Sequence, residues 1–261
     1  MNKQVRLARL VELVSERGSL HVDDAVSELG ISPATARRDL DELAAQQLIR
    51  RTRGGAVANA TSGDVPMRYR SAREGAAKSR IADAVAARVR PGEVVAFNGG
   101  TTTTMAAYQL GVRFSAEYPG GEAIVTVVTN AVNIANDLAV RPQTRVLVTG
   151  GVVRPKSYEL TGPLSELVLP QVNIDVAYLG VSAIDTVTGV FTHDDSEAAV
   201  NNAFVAAART AYVVADSSKL HAHSFARICP LAGIDGLITD TAADPAALAT
   251  LRAAGWTVVT V

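Results

Sequence analysis

The sequence predicts a two-part α/β protein: an N-terminal winged helix-turn-helix, then a larger α/β domain built on a mostly parallel sheet. Three observations carry this. A helical pattern stops at Leu29-Gly30 and restarts with its own cap at Ser32-Pro33. Beyond Pro91 the pattern changes to apolar β-rich runs alternating with helical stretches. The charge also divides, with 14 Lys/Arg against 10 Asp/Glu in residues 1–80 and 11 against 16 in residues 81–261, for a net −1 overall. A mildly basic head on an acidic body suits a protein that meets a polyanion at one end. The boundaries read as a head at 1–58, a linker at 59–69 and a ligand-binding domain at 70–261.

Met1–Arg17 forms an amphipathic helix through Val5, Leu7, Leu10, Val11 and Val14. Asp23–Leu29 is a second short helix, and Gly30 ends it because glycine accepts the positive φ needed past a helix end. Ile31 is the buried turn residue. Ser32 is the N-cap and Pro33 sits at N1, where its missing N–H costs nothing. Ala36, Leu40 and Leu43 then face the core, leaving Ala34, Arg37, Arg38 and Asp41 on the other side. Small residues at a helix start with fork-shaped donors one turn later suit entry into the DNA major groove. Arg37 and Arg38 are the candidates for base-edge or phosphate contacts, with Ser32 and Thr35 meeting phosphate. Leu48-Ile49-Arg50 and Ala56-Val57 flank an Arg- and Gly-rich turn and read as a two-stranded wing. Arg51 and Arg53 lie near its tip, set to meet backbone or minor groove.

A helix runs from about Arg70 to Arg90 on Ala77, Ile81, Ala84, Val85 and Val89, and Pro91-Gly92 ends it. Strands are predicted at Val94–Phe97, Ile124–Thr129, Val146–Thr149, Val176–Gly180, Ala211–Ala215, Gly236–Thr239 and Thr257–Val261. Helices fit Thr102–Leu110, Ala131–Leu138, Glu197–Arg209 and Pro245–Ala253. Continuous Val/Ile/Leu runs of this kind belong to strands covered by helices on both faces.

In such sheets the loops leaving the strands' C-terminal ends form the binding crevice. Asn98-Gly99-Gly100-Thr101-Thr102-Thr103 leads from a strand into a helix. Its glycines bring backbone N–H groups close to an anion and its threonines add donors, which makes phosphate the natural guest. Asp216-Ser217-Ser218-Lys219 puts a carboxylate, two hydroxyls and an ammonium on one turn. That set suits a polyol phosphate, and equally a solvated ion pair. Glu197 opens a helix, where a carboxylate suits the dipole, and is a further candidate effector residue.

Ser32–Leu40, followed by Leu48–Ala56, resembles the DeoR family of bacterial sugar-catabolism repressors, whose signature is a V-S-x-x-T-I-R-R-D-L helix and an R-x-H-G-G-A wing. Here Ala36 replaces the usual isoleucine and Arg53 the usual histidine. The likeness continues through Val176–Gly180, Ile184-Asp185, Glu197, Asp216–Lys219 and Ile238–Asp240, and so covers nearly the whole chain. Asn201-Asn202 stands where relatives often carry a lysine or arginine. The resemblance implies a sensor domain similar to ribose-5-phosphate isomerase and the CoA transferases. It also implies double-stranded operator DNA and a phosphorylated sugar as partners, and a homo-oligomer of dimers or larger. The phosphate is then expected on the Asn98–Thr104 loop and the sugar near Asp216 and Lys219.

The remaining expectations are mostly exclusions. Cys229 is the single cysteine, so no disulfide framework exists and a reducing cytoplasm is expected. The four histidines form no zinc spacing, and His221-x-His223 reads as a surface loop, so no metal and no cofactor are expected. No signal peptide is seen, and no apolar run approaches the roughly 18 residues of a membrane span. Two other functions fit the same residues. Asp216, Lys219 and Glu197 are the groups a sugar-phosphate isomerase would need, and an effector-dependent activator would share every feature of a repressor.

Overall fold

The computed structural model describes residues 2–46, 48–58 and 75–261, and the linker expected at 59–69 lies outside them. The chain divides into two compact units, Met1–Gly75 and Ala76–Val261.

In the first unit, helix α1 (Lys3–Arg17) precedes strand β1 (Ser19–His21) and helix α2 (Val22–Leu29). Gly30 closes α2 in the left-handed region at φ 61°. Helix α3 (Pro33–Ala45) starts on the Ser32 cap, whose Oγ accepts the Thr35 N–H at 3.2 Å. The wing is β2 (Ile49–Thr52) with β3 (Gly55–Ala58), and β1 makes it a three-stranded sheet in the order β1-β3-β2. No strand is predicted at β1, because three residues carry no readable alternation. Pairing decides it: a β-carbon on Gly55 would stand 2.0 Å from the Leu20 carbonyl oxygen. Leu7, Leu10, Val11 and Val14 meet Leu20, Ala25, Ala36, Leu40, Leu43 and Ile49 in one core.

The most deeply buried charge among the described residues of this unit is Asp39. Asp39 is 2% exposed on the inner side of α3, and Arg6 of α1 grips it with both Nε and Nη2, the latter at 3.2 Å. The hydrogen bond to Asp39 comes first among the causes that raise the Arg6 pKa.

The second unit begins with α4 (Gly75–Arg88) and β4 (Val94–Phe97). It continues with α5 (Thr101–Glu117), β5 (Val125–Thr129), α6 (Val132–Ala139) and β6 (Thr144–Val148). A hairpin of β7 (Val152–Arg154) and β8 (Glu159–Thr161) follows, then β9 (Ile174–Leu179). After β10 (Ala183–Asp185) and β11 (Gly189–Thr192) come α7 (Asp195–Ala207) and β12 (Ala208–Val214). The unit ends with β13 (Ala226–Cys229), β14 (Gly236–Thr239), α8 (Pro245–Ala253) and β15 (Thr257–Thr260).

Seven of these strands form one sheet in the order β15-β14-β12-β9-β4-β5-β6, parallel at every pairing. Alternate residues feed opposite layers. Val95, Phe97, Val127 and Tyr178 pack under α4, α5 and α6 through Ile81, Val85, Leu110, Phe114, Ile134 and Leu138. On the other face Ala96, Val128, Ala177 and Leu179 pack on Val200 and Phe204 of α7. Val213 and Leu237 pack with Leu248, Leu251 and Trp256 around α8. Phe97, Tyr178 and Tyr212 stack across three neighbouring strands at 5.6 Å and 6.2 Å. Burial, with Glu93 assisting, pushes the Tyr178 hydroxyl up to about 12.

All seven predicted strands of this sheet are present, with ends shifted by up to three residues. Helix α5 outruns its predicted end at Leu110, because Phe114 adds another buried turn beyond Gly111. The β7–β8 hairpin and the small antiparallel sheet β10-β11-β13 are not predicted. Their strands have three or four residues each, and tertiary contact rather than residue preference holds them extended.

Replacing Arg6 with alanine strands a buried carboxylate. The cost is expected to be about 3 kcal/mol of head stability, read as a lowered urea midpoint for the N-terminal unit.

Candidate functional site

Two sites emerge, one on each unit. On the first, Ala34, Arg37, Arg38 and Asp41 are exposed while Ala36, Asp39, Leu40 and Leu43 are buried, so the outer face of α3 is the expected one. Ser32 and Thr35 stand at its start, their hydroxyls 2.9 Å apart. Arg53 lies exposed on the turn between β2 and β3. Arg51 lies near the tip, one residue pair back from the Thr52–Gly55 pair that closes the turn. It sits within β2, donates to Asp41 of α3 at 2.6 Å and to the Gly55 carbonyl oxygen, and so braces the wing against the helix.

In the second unit, chain order assigns the crevice. From β4 the strands proceed outward through β5 to β6, and the chain then returns to β9 on the opposite side of β4. The gap between the C-terminal ends of β4 and β9 is the topological switch point where open α/β sheets take ligands. Asn98 stands in that gap. Its Nδ2 donates to the Gly180 carbonyl oxygen at 2.9 Å and to Asn201 Oδ1 at 3.1 Å, and its Oδ1 accepts the Gly180 N–H at 2.8 Å. Asn98 therefore bridges β4, β9 and α7. Asn201 is the neutral partner of that bridge.

Gly99 and Gly100 turn the chain into α5, whose first turn has no side-chain cap. Thr102 and Thr103 are buried and Thr101 half-buried. The Thr103 hydroxyl donates to the Gly100 carbonyl oxygen at 3.1 Å. Over Gly99 lies Glu159 of β8, 2% exposed. Facing it in the hairpin, Arg154 donates to Asp194 and to Glu197, each at 3.1 Å. Glu197 also accepts the Thr192 hydroxyl at 2.9 Å, and Asp194 caps α7. Glu197 is thus more than a dipole partner: it is one end of a buried acid–guanidinium network.

Asp216, 2% exposed at the end of β12, accepts the Ser218 N–H at 3.1 Å, and its Oδ2 lies 4.0 Å from Nζ of Lys78. Lys219 follows half-buried on the same short turn. Lys78 is 4% exposed and is a site residue that reading the sequence missed. The signal was present, because Lys78 falls in helical register with Ile81, Ala82 and Val85, where an apolar residue is expected. Glu159 carried no such signal. Asp240 supports the next loop, accepting the Ser217 N–H at 2.6 Å, the Ser217 hydroxyl at 3.1 Å and the Ala242 N–H at 3.0 Å. Burial works to raise its pKa, but these hydrogen bonds prevail and hold it below the usual 3.8.

No group of metal-ligating residues occurs among the described residues. His221 pairs with Asp244 at the surface and His193 with Ser224. Burial pushes the Cys229 thiol up to about 11, against the pull of Arg227.

Family models match both units: the DeoR-like helix-turn-helix domain over residues 6–62 and the DeoR C-terminal sensor domain over residues 73–241. The chain belongs to the DeoR family. It is 34% identical to the HTH-type transcriptional regulator GlpR of Haloferax volcanii, over 97% of this chain and 96% of that protein. It is 30% identical to the glycerol-3-phosphate regulon repressor of Escherichia coli, covering 92% of each. Ribose 5-phosphate isomerase A of Methanocaldococcus jannaschii aligns with 55% of this chain and 53% of its own at 18% identity and a TM-score of 0.38. The chain is therefore a regulator of the DeoR type, with a DNA-binding helix-turn-helix head and an α/β sensor. No helix among the described residues is long and apolar enough to cross a membrane.

Because the Asp240 pKa is lowered in the fold, its contribution is full above 3.8 and is lost as pH falls below it. Asp240→Asn is expected to weaken the sensor at neutral pH, yet to lose less further stability between about pH 5 and about pH 3. Urea unfolding of both proteins across that range checks it.

Proposed function

We propose that this DeoR-family protein represses a carbohydrate-catabolism operon from double-stranded operator DNA, and that a phosphorylated sugar or polyol controls it. The observation that carries the reading is the switch-point crevice. There the uncapped start of α5 faces the same strand ends as the buried Lys78–Asp216 pair. Gly99, Gly100 and Thr101–Thr103 take the phosphate, while Asp216, Lys219 and Lys78 take hydroxyls and residual charge. Asn98 shapes the loop rather than touching ligand. The relatives' names, a regulon repressor among them, support repression.

Catalysis is the weaker reading. An isomerase needs a carboxylate base aimed at a C–H proton. Asp216 is held by Ser218 and faces Lys78, and Glu197 is held by Arg154 and Thr192.

On the DNA side, Arg37 and Arg38 enter the major groove behind Ser32 and Thr35, and Arg53 meets the backbone or minor groove. Arg51 serves the operator chiefly by holding the wing to α3. A homo-oligomer in the cytoplasm, binding symmetric half-sites, completes the reading.

Arg37→Ala or Arg38→Ala should weaken an operator selected from random duplexes by about 1–3 kcal/mol wherever that residue reads a base. Fluorescence anisotropy measures it, and unchanged affinity in both variants would refute the placement of α3. For the sensor, a panel of sugar phosphates and their unphosphorylated parents is screened by thermal shift on the full chain. At 100 times its dissociation constant, a true effector adds about 2.7 kcal/mol of stability. A rise with one phosphate ester and none with its parent is expected, and no rise across the panel would overturn the effector assignment.

A further inference from the structure

Arg37 and Arg38 on α3, and Arg53 on the wing turn, are exposed and make no ion pair with any described residue. Arg51 differs from them. Its Nε donates to Asp41 Oδ1 at 2.6 Å and its Nη1 to the Gly55 carbonyl oxygen. Asp41 is the acid of the outer α3 face. The other two carboxylates of that helix are held elsewhere, Asp39 by Arg6 in the core and Glu42 by Lys3 at 2.8 Å. Asp41 follows Arg38 by three residues and Arg37 by four, so it lies one turn further along the same stripe. Its pair with Arg51 is no core contact, since the side chains are 65% and 28% exposed. An ion pair this open to water adds little to stability. It also sets a negative charge on the face that meets a polyanion, which by itself opposes binding. A contact that does little for the fold and engages a cation of the head has its use at the DNA.

We propose that Asp41 is a positioning residue that sets the specificity of the head: it holds Arg51 off the phosphate backbone and fixes the wing to α3. This rests on the reading that α3 enters the major groove with the wing beside it. Binding to DNA of any sequence is driven by cations that replace counterions on phosphates, so each arginine withheld lowers it. Base reading needs something else, a wing and a helix held in one register so that Arg37, Arg38 and Arg53 arrive together. The pair favours the second over the first. It occupies one guanidinium charge, and its two anchors, Asp41 on the helix and Gly55 on the opposite strand of the wing, hold the turn that carries Arg53. Random duplex gains from the release of Arg51. Operator gains less, because release also loosens the register on which it depends.

The test uses full-length wild type, Asp41→Asn, Arg51→Gln and the double variant. Each is bound, by fluorescence anisotropy, to a duplex that wild type selects from random sequence and to an unselected duplex of equal length. Affinities are followed from about 50 to about 200 mM salt. Asp41→Asn should bind the unselected duplex about fivefold more tightly near 0.1 M salt, and its log–log salt dependence should steepen by about 0.9 for each head bound. The selected duplex should gain less, so the ratio of the two affinities falls. Arg51→Gln should leave the wild-type slope unchanged, and adding it to Asp41→Asn should abolish the gain. An unchanged slope in Asp41→Asn overturns the proposal. So does a gain that survives in the double variant, since it then comes from lost negative charge alone. A shallower slope in Arg51→Gln shows that Arg51 already meets phosphate, and refutes it as well. Selective loss of the selected duplex by Asp41→Asn makes Asp41 a base contact, again against the proposal. If Asp41→Asn does not fold, Asp41→Ser decides by the same slopes. Any of these failures leaves the placement of α3 standing as long as Arg37→Ala or Arg38→Ala weakens binding of the selected duplex. If neither does, the placement and the proposal fall together.

Discussion

A parallel sheet that grows outward from its first strand on both sides must leave a seam where the chain reverses direction. In this protein the seam lies between β4 and β9, and Asn98 closes it. Its one amide satisfies both backbone groups of Gly180 and reaches the helix above through Asn201. A buried polar side chain is costly unless it is bonded, and this one makes three bonds in a place where a slipped strand would break all of them. Everything proposed for the ligand depends on that register. The Gly99-Gly100 turn starts from Asn98, Thr103 packs beside Gly180, and the β12 and β14 loops inherit their positions from β9 through the parallel ladder.

Around this seam the sensor concentrates buried charge. Lys78 with Asp216 is buried and Arg154 with Asp194 and Glu197 is partly buried, each in an opposite-sign grouping, while Glu159 lies over the glycine loop. Such groups add little to stability, since desolvation offsets most of their attraction. They gather near the strand ends, against a core otherwise made largely of Val, Leu and Phe, and this is the feature on which the proposed effector site rests. The head uses the same economy once. Arg6 and Asp39 lock α1 to the inner side of α3, so the outer side can present Arg37 and Arg38 in a fixed orientation.

Much of the architecture was legible in the sequence, because the rules involved are local. A cap, a proline at N1 and a glycine at φ 61° bound α3 and α2, and those preferences act within one turn of helix. The sheet strands announced themselves as apolar runs, most plainly the central β4, β5, β9, β12 and β14, which are largely buried. The small sheets were silent for another reason: β1, β7 and β8 have three residues apiece, too few for a readable alternation, and β1 takes its conformation from a partner far along the chain.

For the sites the division is similar. Gly99-Gly100 with its threonines, the Asp216 turn and the Arg37-Arg38 pair could be named from the sequence, since each is a contiguous motif with its own chemistry. What the sequence did not show of Arg51 is its ion pair with Asp41, ten residues earlier. Lys78, Glu159 and Arg154 reach the same set of strand ends from a helix and a hairpin that no spacing rule links to the loop after β4. Sequence alone determined which segments form the helix-turn-helix and the central strands, because those properties are fixed by neighbours along the chain. Which side chains meet around the loop after β4 was decided only by the strand order. Strand order is a global packing solution: it sets Asn98 against Gly180, while Glu159 comes over Gly99 and Lys78 beside Asp216 from elements far along the chain.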